Sequence, residues 1–221
     1  MSSLRVLIIG EGRHELGTSD GDPGPEGQLG ALPRLVHRLL GNPESIEYDC
    51  RSLRSVMHVR GKARNGFARK VKGAMRTAML EGHDGVVVVI DRDREPDRER
   101  IGALRDGRDS MQADVPVPCA VGTAVETFDA WMIADLTAVR AAKGDQARIP
   151  TNPESLAGKE GTGTHPKDLA ALIFGAGLAR AYSTVAENAD FEVLKQTCPQ
   201  GFTPFAAEVE EHLLPMVRGG G

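Results

Sequence analysis

A chain of 221 residues can bury one sizeable core, and a single domain with a small helical tail is the default organisation. The formal net charge of −4 decides nothing about nucleic acid by itself, but an aromatic content of 4% disfavours a base-stacking platform. The cysteines Cys50, Cys119 and Cys198 are widely spaced, which excludes a disulfide framework and a paired-cysteine metal site.

Residues 4–9 form an apolar run ending in Gly10, which predicts a first buried strand. The sequence enters that strand directly and holds no apolar run near the ~20 residues of a membrane span. No secretory signal and no membrane are therefore expected, and the expected compartment is a reducing cytoplasm. Residues 17–30, rich in Gly, Asp and Pro, predict a loop. Leu32, Leu35, Val36, Leu39 and Leu40 recur at helical spacing until Gly41-Asn42-Pro43 stops them. Residues 46–50 predict a second strand, while 55–60 read equally as strand or loop. Residues 67–80 predict a helix with a basic polar face, closed by Gly82.

Residues 85–90 are apolar without alternation and predict a strand covered on both faces. Residues 94–104 predict a charged helix, 115–121 a further strand, and 127–139 one helix carrying Phe128, Trp131, Met132 and Leu136. Strands alternating with helices predict an α/β fold, a central mostly parallel sheet with helices on both faces. Residues 143–164 predict a loop or lid. Short helices over Pro166–Phe174, 182–188, Phe191–Thr197 and 205–217 predict a helical C-terminal part, an extension of about 165–218 on a core of about 1–140.

Carboxylates cluster where strands end: Glu11 after the first, Asp91 and Asp93 after the third, Glu126 and Asp129 just beyond the fourth. Parallel strands align their C-terminal ends on one edge, and ligands bind there. Each acid alone reads as an ordinary solvent carboxylate. Several on one rim repel each other unless a cation neutralises them, and Mg²⁺ or Mn²⁺ is the hard ion that takes oxygen ligands. Asp91 and Asp93 flank Arg92, so in extended chain they point the same way and can share an ion. Arg92 then faces elsewhere, towards a phosphate or an acidic neighbour. Glu126 and Asp129 are three apart and would share one face of a first helical turn, a place the helix dipole alone also favours. Glu15 is a further possible participant, His14 reads first as a surface histidine, and Asp135 reads as structural. Lys167 opens a helix after a glycine-rich loop and could reach back to neutralise charge at the rim, or stay at the surface.

Basic residues concentrate between Arg51 and Arg76. In HVRGKARNG, Arg60, Lys62 and Arg64 surround a glycine, a setting for loop contacts to phosphates. Arg69, Lys70, Lys72 and Arg76 read equally as the solvated face of a helix. Neither GxGxxG nor GxxxxGK[ST] occurs in the right context, which weakens NAD and ATPase readings.

The order GEGRHE, then DRD, then VETFDAWMIAD resembles the Toprim-like proteins of the DUF4276 family, relatives of the topoisomerase-primase domain and of the overcoming-lysogenization-defect nucleases. The resemblance spans nearly the whole chain, with Pro166-Lys167 and Cys198-Pro199 matching late motifs. It departs at His14-Glu15, where relatives often carry Thr-Glu. It implies that Glu11, Asp91 and Asp93 surround a divalent metal and that Glu126 lies in the family's acidic-Trp helix. It also implies a prokaryotic defence or repair setting beside an ATPase partner.

The expected function is Mg²⁺- or Mn²⁺-dependent hydrolysis of a phosphodiester in DNA or RNA. Glu11, Asp91 and Asp93 would hold one ion and Glu126 would help hold a second, roughly 3.5–4 Å away, with Asp129 as a further metal candidate that could instead orient the ligand shell or cap the turn. Lys167 or Arg64 would stabilise developing negative charge. Tyr48 and Tyr182 are the only tyrosines and no further domain is evident, so topoisomerase chemistry is disfavoured. The rival is a non-catalytic metal-binding regulatory or interaction subunit of a larger assembly.

Overall fold

The computed structural model describes residues 3–17, 29–56, 66–92, 97–156, 158–175 and 177–219. Among them four strands form one sheet: β1 (Leu4–Gly10), β2 (Ile46–Ser52), β3 (Gly85–Asp91) and β4 (Cys119–Ala124). Their order is β2-β1-β3-β4, and every neighbouring pair is parallel. Helices α1 (Arg13–Leu16) and α2 (Ala31–Leu39) lead from β1 to β2, α3 (Gly66–Glu81) from β2 to β3, and α4 (Asp97–Asp109) from β3 to β4. The helical region beyond comprises α5 (Asp129–Met132), α6 (Leu136–Lys143), α7 (Pro166–Phe174), α8 (Leu178–Asn188), α9 (Phe191–Thr197), α10 (Phe202–His212) and α11 (Leu214–Gly219). No single helix among the described residues is long and apolar enough to cross a membrane.

Successive strand side chains point to opposite faces, so strands that are apolar throughout need cover on both. Val6, Ile8, Val87, Val89, Ala120 and Ala124 enter one core, closed by α2, α8, α10 and Trp131. Leu7, Ile9, Val86, Val88, Ile90 and Val121 enter the other, closed by Val71, Ala74, Met75 and Ala78 of α3 and Leu104 of α4. Arg69 and Arg76 stay on the exposed side of α3. At Gly122 a Cβ would lie 2.6 Å from the Phe205 ring, so the missing side chain is what lets α10 settle on β4.

The helix expected over 94–104 runs from Asp97 to Asp109 and the one expected over 182–188 begins at Leu178, and three elements differ in kind or in register. The strand expected over 115–121 runs instead from Cys119 to Ala124, because Pro116 and Pro118 have no N–H to give a ladder. The single helix expected over 127–139 is two. Asp135 accepts hydrogen bonds from the amides of Thr137 (2.8 Å) and Ala138 (3.3 Å) and starts α6 afresh after α5. The last helix, expected over 205–217, begins earlier and breaks at Leu213 into α10 and α11, with Pro215 in the first turn of the second.

Candidate functional site

In the order β2-β1-β3-β4 the chain steps from β1 to one side and later to the other, so the crossovers diverge between β1 and β3. Such a switch point leaves a crevice beyond the carboxyl ends of the two strands. A cleft of about 870 Å³ lies there, and Glu11, Glu15, Asp91, Glu126 and Asp129 line it together with Arg13, His14, Arg100, Lys159, Glu160, His165, Lys167 and Tyr182.

Glu11 is the exposed first residue after β1. Glu15, on the one-turn helix α1, is buried. Two glycines make room for it: a Cβ at Gly10 would stand 2.9 Å from Glu15 Oε2, and one at Gly12 would stand 2.7 Å from Oε1. Burial first, and then the charge of Asp91, push the Glu15 carboxyl well above the usual glutamate range. The Gly12 amide hydrogen bond opposes this, while Asp129 and Glu11 add to it.

Asp91 is the last residue of β3, and its Oδ1 accepts from the amide of Phe128 at 2.8 Å. Its carbonyl accepts from Arg100 Nη1. Arg92 continues the ladder through its amide to Ala124 O (2.8 Å), and its Nη1 lies 3.3 Å from Gln200 Oε1. Glu126 departs from its neighbours. Its backbone is left-handed, at φ 60°, and Oε2 is buried with no hydrogen-bond partner among the described residues. A non-glycine residue rarely adopts that conformation unless its surroundings hold it there.

Asp129 is gripped at both oxygens. Thr127 Oγ1 donates to Oδ2 at 2.9 Å and the Tyr182 hydroxyl donates to Oδ1. Burial first, and then Asp129, hold the Tyr182 phenol well above its usual range.

On the facing wall, Lys167 Nζ lies 2.7 Å from Glu160 Oε1, both side chains being more than half exposed. That hydrogen bond is the main reason the lysine is raised above its usual range. His165 is buried, and its Nδ1 accepts the Lys167 amide at 3.3 Å, so it caps α7. The segment carrying Lys159 and Glu160 is anchored upstream by buried Glu154. Its carboxylate accepts from the amides of Gln200 (2.9 Å) and Gly201 (2.8 Å) at the start of α10.

Five residues expected at the site, Glu11, Asp91, Glu126, Asp129 and Lys167, thus face one cleft. Asp93 and the basic loop residues Arg60, Lys62 and Arg64 lie outside the described residues. The expectation that Glu126 and Asp129 share a helical turn needs correction. Glu126 precedes α5 and enters the cleft from left-handed backbone. Sequence reasoning missed the grip of Tyr182 and Thr127 on Asp129, and the place of Lys159 and Arg13 in the cleft lining. His14 is exposed but lies in the cleft, edge-on to Tyr182 with ring centroids 6.4 Å apart.

A second acidic group lies away from the strand ends. Asp49 sits in mid β2 opposite Leu7, Glu81 ends α3, and His83 precedes β3. Their ligand atoms lie within 4.8 Å of one another, a cluster geometrically compatible with a divalent cation. Arg51 already stands among them. Its Nε lies 3.2 Å from Asp49 Oδ1 and its Nη1 3.0 Å from Glu81 Oε1, while His83 Nε2 is 3.1 Å from Asp49 Oδ2. Burial pushes Asp49 up, but the hydrogen bonds and charges of Arg51 and His83 outweigh it and hold the carboxyl below its usual value. The Arg51 hydrogen bond does the same for Glu81.

No family model, curated protein or solved structure matches the chain.

Proposed function

We propose that the protein is a Mg²⁺- or Mn²⁺-dependent nuclease that hydrolyses a phosphodiester of DNA or RNA in the cleft beyond β1 and β3. Glu126 carries this reading. A buried carboxylate oxygen left without a partner costs about 1–3 kcal/mol or more, and here, among the described residues, it comes with left-handed backbone on a cleft lined by five other carboxylates. A hard cation relieves that cost. Glu11, Asp91, Glu126 and Asp129 would hold it, an all-oxygen donor set that suits Mg²⁺ or Mn²⁺. When bound, such an ion would supply a water activated at neutral pH and would polarise the phosphoryl oxygens.

The chain's own groups do the remaining work. The Phe128 amide fixes the Asp91 carboxylate against the loop that bears Glu126. Lys159, Lys167 and Arg13 bring positive charge to the same cleft, where a phosphate would be held and its developing charge offset. The exposed Lys167–Glu160 pair is of the weak kind that a phosphate oxygen can displace. The Toprim-like resemblance points to the same chemistry, and with it to a defence or repair setting beside an ATPase partner.

The test is cleavage of labelled single- and double-stranded DNA and RNA in Mg²⁺, Mn²⁺ and EDTA. Cleavage with either metal and none in EDTA is expected. Intact substrates in every metal condition would overturn the nuclease reading. If the folded protein still bound metal, the regulatory-subunit reading would take its place.

A further inference from the structure

We propose that Tyr182 is a positioning residue that fixes Asp129 as a cation ligand, so that the C-terminal helices complete the cleft. This inference rests on the metal reading above and assigns a role to a side chain that arrives from α8, more than fifty residues beyond Asp129.

The geometry is that of an oriented ligand. A carboxylate that both binds a cation and stays rigid needs donors on its remaining lone pairs, and such outer partners govern how well the ligand binds. Asp129 has one on each oxygen, Thr127 on Oδ2 and Tyr182 on Oδ1. Thr127 lies only two residues before Asp129 in the chain. Tyr182 comes from α8, so among the described residues it is the donor that ties the carboxylate to an independent element. Its ring is held in turn, 1% exposed and edge-on to Phe174 with centroids 5.5 Å apart. The hydroxyl is the one donor of the pair that the rest of the fold places rigidly.

A tyrosine beside a phosphodiester site could instead be a nucleophile. Here the phenol is buried and donates to a carboxylate, and both features oppose the phenolate that attack on phosphorus needs.

Tyr182→Phe keeps the ring and removes only the donor. Mn²⁺ binding to the full chain, followed by calorimetry, should weaken by ~10-fold or more, while the unfolding midpoint in EDTA changes little. In the Asp129→Asn background the same change should have no further effect on Mn²⁺ affinity, a non-additivity that loss of packing would not produce. Thr127→Val should weaken Mn²⁺ binding in the same direction and serves if Tyr182→Phe folds poorly. Unchanged Mn²⁺ affinity in Tyr182→Phe, or equal losses with and without Asp129, overturns the positioning role while leaving the metal site intact. A wild-type chain that binds no Mn²⁺ overturns both. A phosphotyrosyl adduct recovered after incubation with DNA or RNA would make Tyr182 a nucleophile and overturn the inference.

Discussion

Two acidic groups of this protein solve the same electrostatic problem in opposite ways. In the Asp49–Glu81–His83 cluster the chain supplies its own cation. Arg51 reaches both carboxylates, and both are held below their ordinary values. In the cleft beyond β1 and β3, burial first and then the neighbouring carboxylates push Glu15 well above its ordinary value. There Glu126 also keeps a buried oxygen without a partner among the described residues. An acidic cluster balanced by arginine is complete in itself. One that buries Glu15 beside other acids and leaves a buried Glu126 oxygen without a partner among the described residues offers a place for an added cation, and that separates a scaffold from a binding site more sharply than the count of acids does.

Exchanging one carboxylate for its amide in each group tests the contrast most severely. Asp91→Asn should lower cleavage by about three orders of magnitude, the several kcal/mol expected when a metal ligand is lost. Asp49→Asn should leave the rate unchanged and lower the unfolding midpoint, since among the described residues Asp49 pairs with the arginine and histidine around it and lies outside the cleft lining. Paired rate and melting measurements decide it, and the reverse pattern would exchange the roles of the two groups.

The contrast can also be erased. Arg51→Gln removes the built-in cation and leaves two carboxylates and an imidazole within 4.8 Å, a mixed donor set that suits Zn²⁺. The variant should gain roughly 5 °C or more in midpoint at a hundredfold excess of Zn²⁺ over its Kd. The wild-type cluster should gain nothing. An equal response in both proteins would show that Arg51 does not hold the site closed.

The smallest effect concerns protons. Because Glu15 titrates higher in the folded chain than the ordinary 4.5, the metal-free fold binds its proton more tightly than the unfolded chain does. Stability in EDTA should therefore rise as pH falls through the folded value towards 4.5. Glu15→Gln should flatten that slope and raise the midpoint at pH 8 by about 3 °C, as ~1 kcal/mol does for a chain of this size. Asp49 has the opposite sign. Its contribution is present above the ordinary 3.8 and is lost only as pH falls below it. Melting curves from pH 4 to 8 for Glu15→Gln and Asp49→Asn separate the two, and an undiminished slope in Glu15→Gln removes Glu15 as its source.

Apolar runs made the sheet legible. Residues 4–9 and 85–90 have no polar alternation, and strands of that kind fit only between two helical layers. The acids at their ends followed, since strand ends in a parallel sheet share an edge. The break inside 127–139 was within reach, because Asp135 before Leu136-Thr137-Ala138 is a capping signal, but Trp131 and Met132 continue the apolar pattern across it. The left-handed backbone of Glu126 was not legible, as no glycine or asparagine marks it. Nor was Tyr182, whose meeting with Asp129 depends on how α8 packs against α2 and α6 rather than on any local pattern. The basic residues that line the cleft, Arg13, Arg100, Lys159 and Lys167, are scattered in sequence, whereas the dense run from 51 to 76 drew attention through charge alone.

Glu154 gives the molecule an unexpected dependency. Upstream of Lys159 and Glu160, Glu154 is held by the amides of Gln200 and Gly201 just before α10, a helix that rests on β4 and gives no residue to the cleft lining. The peg fits only because position 201 has no side chain, since a Cβ there would stand 2.6 Å from Glu154 Oε1. Crowding that peg would tilt one bank of the cleft while every residue on both banks stayed the same. A side chain at position 201 is therefore expected to disturb the stretch that brings Lys159 and Glu160 to the cleft without replacing any residue that lines it.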